Sequence, residues 1–210
     1  DPLQTGLHDL RLGRVEGQRD RGLGTQAADQ LVHVAGAVAP DVVDAHVEHV
    51  GAFPHLFEPL QIRGKRLKNR IMSSGHDTSM PTDNLVNEQL IAYHRARAEG
   101  GVGLIVLQVA GVHDSARYTS HVLMATDDAC IDGYRRLAET CHAHGTVVLS
   151  QIFHPGREIM ESSDGLLAVA YSASAVPNER FRVMPRELDQ AMIDEIVAGY
   201  AAAARRLHQA

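Results

Sequence analysis

Histidines, aspartates and one glutamine collect where apolar runs of this chain end. His76-Asp77 follows Arg70-Ile71-Met72-Ser73-Ser74-Gly75, and His113-Asp114 follows the run from Gly103 to Val109 and then Ala110-Gly111-Val112. The third place is Gln151 with His154-Pro155-Gly156-Arg157, behind Val147-Val148-Leu149. Imidazoles and carboxylates at strand ends are the donor types that hold a metal ion and an activated water. His76, Asp77, His113, Asp114 and His154 therefore make a metal-dependent hydrolase one reading. Against it, none of the five stands in a His-x-His or His-Glu-x-x-His pair at fixed spacing, and a third or fourth ligand would have to come from further strands. The glycines of Glu99 to Gly103 have the look of a phosphate loop, but they precede a strand instead of opening a helix, which rejects that use.

The elements that must position these residues follow from periodicity. Val147 to Leu149 and Gly103 to Val109 have the β-branched and aliphatic character of strands covered on both faces, and Arg70 to Ser74 repeats the arrangement upstream. Helix formers fill Asn87 to Glu99 until Gly100-Gly101 stops them. Ile131, Tyr134, Leu137 and Cys141 recur at helical spacing between Asp128 and His144, with Thr126 or Asp127 as N-cap and Gly145 as the stop. After Asp189, residues Met192, Ile193, Ile196, Val197, Tyr200, Ala204 and Leu207 predict one apolar helix face.

The order β-α-β-α-β-α implies parallel strands, in either an open doubly wound sheet or part of a (β/α)8 barrel. Both fold types place ligands at the carboxyl ends of the strands. A short hairpin within Phe57 to Leu67, turning at Arg63-Gly64-Lys65, favours the barrel, whose N-terminal mouth it could plug.

Four segments then carry a resemblance: Leu56-Phe57-Glu58-Pro59-Leu60, Leu67-Lys68-Asn69-Arg70-Ile71, Gln151-Ile152-Phe153-His154-Pro155-Gly156-Arg157, and Pro185-Arg186-Glu187-Leu188. In order and spacing they resemble the N-terminal half of the old yellow enzyme family of NADH:flavin oxidoreductases. The similarity is greatest to its 2,4-dienoyl-CoA reductase and trimethylamine dehydrogenase branch. The resemblance implies a (β/α)8 TIM barrel with FMN at its C-terminal face, reduced by NAD(P)H and passing hydride to an activated alkene or similar small-molecule substrate. It implies cofactor contacts from Ser74, Gly75, His76, Asp77, Val109 and Gln151, and substrate contacts from His154 and Arg157. A primary amide at Gln151 offers one acceptor and two donors, the set that pairs with N–H and C=O groups on the flavin's pyrimidine edge.

The chain also departs from the family pattern. Gly75-His76 stands where many relatives have Pro-Met or Ser-Met, Val109 is bulkier than the usual Ala or Gly, and Tyr171-Ser172 replaces a Pro-Ser pair. A complete barrel takes about 250 residues. The expectation is thus a partial (β/α)8 barrel over 53–210, made of the hairpin and the first three β-α units of a longer enzyme. The proton donor and phosphate site are expected beyond Ala210, the chain alone is expected to be inactive, and a non-catalytic truncated product is the limiting case. A homo-oligomeric full-length parent is a further expectation.

Residues 1–52 differ in kind. Asp1 to Val50 holds no Lys, Ile, Met, Asn, Ser, Cys or aromatic residue, which predicts a disordered or non-native extension. A net charge of −6 argues against a nucleic-acid partner, and no run of apolar residues is long enough for a membrane span, so a cytoplasmic location is expected. Cys130 and Cys141, on one predicted helix and too far apart to bridge, read as core thiols, and no cysteine cluster is present for an iron–sulfur centre. Each site residue has a structural reading too: His76 and Asp77 could satisfy loop backbone, His113-Asp114 could be a solvated pair, and Arg157 could pair with Glu158 or Glu161.

Overall fold

The structure, a computed structural model, describes residues 51–160 and 169–210; residues 1–50 of the expected N-terminal extension, and Glu161, lie outside them. A four-residue helix α1 (Pro54–Phe57) leads into the hairpin of β1 (Leu60–Ile62) and β2 (Lys65–Leu67), paired antiparallel with Ile62 opposite Lys65. Arg63 (φ 42°) and Gly64 (φ 81°) form a two-residue turn with both φ positive, the twist that matches a tight hairpin. Leu67 is the hairpin's buried anchor.

The expected first strand shortens to β3 (Met72–Ser73), because only these two residues find ladder partners, Leu104 and Ile105. Asn69, 5% exposed, performs the ordering that a longer strand would have done. Its Nδ2 donates to Gly101 O at 2.7 Å and its Oδ1 accepts from Ile71 N–H at 3.1 Å, tying the strand to the loop that feeds its neighbour. That neighbour is β4 (Leu104–Gly111), and β6 (Val147–Phe153) lies parallel along its other side. The short β5 (Leu123–Met124) pairs parallel with the end of β4. Spatial order β3-β4-β6 thus follows chain order, each return being made by a helix.

Helix α2 (Glu88–Glu99) starts where Asn87 accepts from Leu90 N–H at 3.0 Å and stops at Gly100, as its sequence predicts. For α3 (Cys130–His142) the N-cap expectation needs correction. Ala129 occupies the cap in a helical conformation, and the Asp127 carboxylate instead accepts Ala129 N–H, at 2.8 Å, in the turn ahead of it. Helix α4 (Gln190–Gln209) is capped by Asp189, which accepts from Met192 N–H at 2.8 Å. Its apolar face is narrower than the spacing implies. Ile196 and Ala203 are buried, with Met192, Tyr200 and Leu207 packed beside them, whereas Ile193, Val197 and Ala204 sit on the flank in water.

All three long helices share one core with a single face of the sheet: Leu90 and Ile91 from α2, Tyr134 and Leu137 from α3, and Ile196 from α4 enclose Ile105, Leu107 and Ala110. Both cysteines lie in that core as free thiols, Cys141 pushed up to about 11 by burial. On the opposite face Met72 and Leu149 stay 57% and 51% exposed, an apolar surface bare among the described residues.

His94 on α2 is the odd member of the core. It is 2% exposed, and neither ring nitrogen has a hydrogen-bond partner among the described residues. Burial first, then the charges of Arg97 and His76, lowers its pKa from 6.5 to about 4. The unfolded chain therefore takes up this proton before the folded one. The associated stability is complete above about pH 6.5 and is lost as pH falls through about 4, by roughly 3 kcal/mol in all. Urea unfolding across that window should show the loss, and His94→Leu should flatten it; parallel pH profiles for the two proteins would assign the effect elsewhere.

Candidate functional site

The carboxyl ends of β3, β4 and β6 bring three of the predicted residues together. In the β4–β6 ladder Val106 pairs with Leu149 but Val109 pairs with Gln151, so β4 carries one extra residue, a bulge. The bulge returns Val109 to the face of Val106 and sets it, half-buried, beside Gln151. Gly75, just past β3, lies against both strands: a Cβ there would stand 2.8 Å from Gln151 Oε1 and 2.8 Å from Leu107 O. Only a residue without a side chain allows this approach. The Gln151 amide is exposed and makes no hydrogen bond among the described residues, so its two donors and one acceptor are free.

The bulge also turns Gln108 inward, and this residue was not foreseen from sequence. It is 1% exposed. Its Oε1 accepts from the Thr78 hydroxyl at 2.6 Å and from Thr78 N–H at 3.4 Å, and its Nε2 donates to Asp77 Oδ1 at 3.3 Å. Asp77 also accepts from Ser79 N–H at 3.4 Å, and Tyr118 O–H donates to its other oxygen. Burial, followed by that bond and the carboxylate's charge, pushes the Tyr118 phenol well up. Tyr118 in turn packs edge-on against Phe153 at the end of β6, 5.4 Å between ring centres. Asp77 is thus an exposed brace that joins the bend after β3 to Gln108 of β4 and, through Tyr118, to the end of β6.

His76 points elsewhere. Its Nδ1 donates to Ser74 O at 3.3 Å, and Tyr93 on α2 donates its hydroxyl proton to Nε2. The Arg97 guanidinium lies 3.3 Å over the Tyr93 ring and donates to Tyr93 O at 2.8 Å. Ser74 is exposed at the same bend.

His154 and Arg157 occupy the loop after β6. His154 faces Ser115 Oγ at 2.8 Å, in a half-buried group with His113. Arg157 pairs with neither Glu158 nor any other carboxylate among the described residues. It donates to Val176 O at 2.9 Å, while Glu158 accepts from Asn178 Nδ2 at 2.6 Å. These bonds hold the loop to the segment between β7 (Tyr171–Ser172) and β8 (Arg186–Glu187), which pair parallel. The five residues of the metal reading do not converge on one point: His76 belongs to Tyr93, Asp77 to Gln108, His113 and His154 to Ser115, and Asp114 lies 3.5 Å from Arg117. Among the described residues no group of three or more His, Cys, Asp or Glu could hold a metal ion.

Comparison with known proteins identifies the family. Residues 55–210 match the family model described as NADH:flavin oxidoreductase / NADH oxidase. A metal reductase of Desulforamulus reducens is 36% identical over 151 residues, which are 72% of this chain and 22% of the relative. An NADH oxidase of Thermoanaerobacter brockii is 36% identical over 157 residues, 73% of this chain and 24% of the relative. Among solved structures, morphinone reductase in complex with tetrahydroNAD has a TM-score of 0.65 at 28% identity, covering 74% of this chain and 47% of that one. The chain therefore spans about a quarter of the length of these curated relatives and under half of the solved enzyme.

Gln108→Leu would strip Asp77 and Thr78 of their shared partner while keeping apolar bulk. A loss of about 1–3 kcal/mol in urea-unfolding stability is expected, since these donors and acceptors would stay part-buried without it. Gly75→Ala should cost a similar amount by overpacking against the Leu107 carbonyl, which as backbone cannot swing aside. Wild-type stability in either variant would show that the strand ends are not braced as described.

Proposed function

The chain belongs to the NADH:flavin oxidoreductase / NADH oxidase family, and from that premise we propose that it forms the FMN-facing first part of a (β/α)8 barrel. In this reading β3, β4 and β6, with α2, α3 and α4, are the first three β-α units. The hairpin β1–β2 closes the N-terminal mouth, and the bare face around Met72 and Leu149 is barrel interior that further strands complete. Sequential parallel strands with their helices in one core support it.

The single observation that carries the cofactor assignment is the meeting of Gly75, Val109 and the free Gln151 amide at adjoining strand ends. The residues fit FMN: a flat approach at Gly75, an aliphatic wall at Val109, and at Gln151 the donors and acceptor for the pyrimidine edge. When bound, the flavin would take hydride from NAD(P)H and deliver it to an activated alkene or a similar small molecule. Ser74 and Gly75 supply backbone against the ring. Asp77 keeps that bend in place through Gln108, and His76, backed by Tyr93, sets its polar border. His154 and Arg157 border the substrate's side of the cleft. Catalysis belongs to the assembled barrel rather than to this chain alone, and the setting is the cytoplasm. No described helix is long and apolar enough to cross a membrane.

The protein purified from its own cells should show flavin colour and retain FMN through gel filtration. Gln151→Leu should weaken FMN binding about tenfold or more, the scale of one or two hydrogen bonds, or shift the flavin's potential. A colourless protein that refuses added FMN contradicts the assignment, and an unchanged affinity and potential in Gln151→Leu removes that residue from it.

A further inference from the structure

The loop after β6 is tied to α4 by a chain of contacts that cofactor binding does not require. Gly156 N–H donates to His154 Nδ1 at 3.1 Å, so that nitrogen carries no proton. A neutral ring then holds its proton on Nε2, which faces Ser115 Oγ at 2.8 Å and donates to it. The Ser115 hydroxyl proton is left for His113 Nδ1, 2.7 Å away, the same nitrogen that accepts Ser115 N–H at 3.2 Å. His113 therefore keeps its proton on Nε2, on the side of Glu195 Oε2 of α4 at 3.6 Å. Each partner dictates the next tautomer, and one proton arrangement satisfies the whole chain.

We propose that Ser115, oriented by His113, is a positioning residue that locks His154 in its Nε2–H form and so fixes the loop Pro155–Arg157. Gly156 sits at φ 62°, and the next residue reaches Val176 O, so the direction of the Gly156 N–H and the place of the Arg157 guanidinium are set together. The lock needs a bare His154 Nδ1. A proton on His154 Nδ1 would point at another donor, Gly156 N–H, and that contact must open. Burial first, then the neighbouring His113, holds the His154 pKa below its usual value, so the lock stays closed at neutral pH and opens only under acid. The titratable groups facing it are His113 directly and Glu195 of α4 behind that ring, while Arg157 of its own loop is turned to Val176. Only the statement that His154 and Arg157 meet substrate rests on the proposed function.

Nitrogen NMR of the whole chain, labelled at histidine and glycine, tests the lock. Near neutral pH, wild-type His154 should show a bare Nδ1 and a protonated Nε2. Ser115→Ala should lower the ratio of Nε2–H to Nδ1–H forms about tenfold, the scale of one hydrogen bond, and cost the Gly156 amide its exchange protection. Ser115→Thr, which keeps a hydroxyl, should restore both. An unchanged ratio in Ser115→Ala overturns the proposal, and so does an Nδ1–H form in the wild type, a measurement that decides even where the alanine variant does not fold. FMN titration of the same samples keeps the two readings apart: a closed lock in a chain that ignores FMN supports the lock and counts against the cofactor assignment.

Discussion

Parallel pairing of β4 with β6 is the constraint on which the rest depends. Parallel strands cannot be joined by a tight turn, so the chain between them must cross the sheet, and α3 makes that crossing because one side of it is apolar enough to bury. The same requirement sets α2 between β3 and β4. With both helices in one core, β3, β4 and β6 run the same way and their ends open on the same rim. Chemistry gathers there because that rim is where backbone leaves the ladder and side chains are released from packing.

One extra residue in β4 then decides which side chains meet. Without the bulge between Val106 and Val109, Val109 would face the helices and Gln108 would stand beside Gln151. With it, an aliphatic residue borders the exposed amide while Gln108 goes into the interior. There it has enough bonding capacity to hold Thr78 and Asp77 together. Two glutamines near one rim thus serve opposite ends: the buried one is fully engaged, and the exposed one is free.

Much of this was legible in the sequence, for local reasons. Helices α2 and α4 start where the sequence places them, just after Asn87 and Asp189, whose side chains reach N–H groups three residues ahead without any tertiary partner. Arg63-Gly64 turns the hairpin for an equally local reason. What was hidden depends on register or on distant neighbours. The bulge exists only relative to β6, so the inward turn of Gln108 has no signature in β4 alone. The hold of Tyr118 on Asp77 spans forty-one positions, with no periodic pattern to link them. Ile193 and Val197 extend the apolar stripe of α4 yet stay exposed, since burial is decided by the elements the helix meets and not by its own spacing. The bond between the His76 ring and Tyr93 is likewise revealed only by the path of α2.

The central claim is that the free Gln151 amide, between Gly75 and Val109, is the edge reader of a flat cofactor. It is tested most directly by the side-chain amide resonances of Gln151 in protein loaded with FMN and in the same protein stripped of it. The account predicts that both amide protons move downfield and gain protection from solvent exchange when FMN is present. Gln151 resonances that stay in place while FMN is demonstrably bound would contradict it.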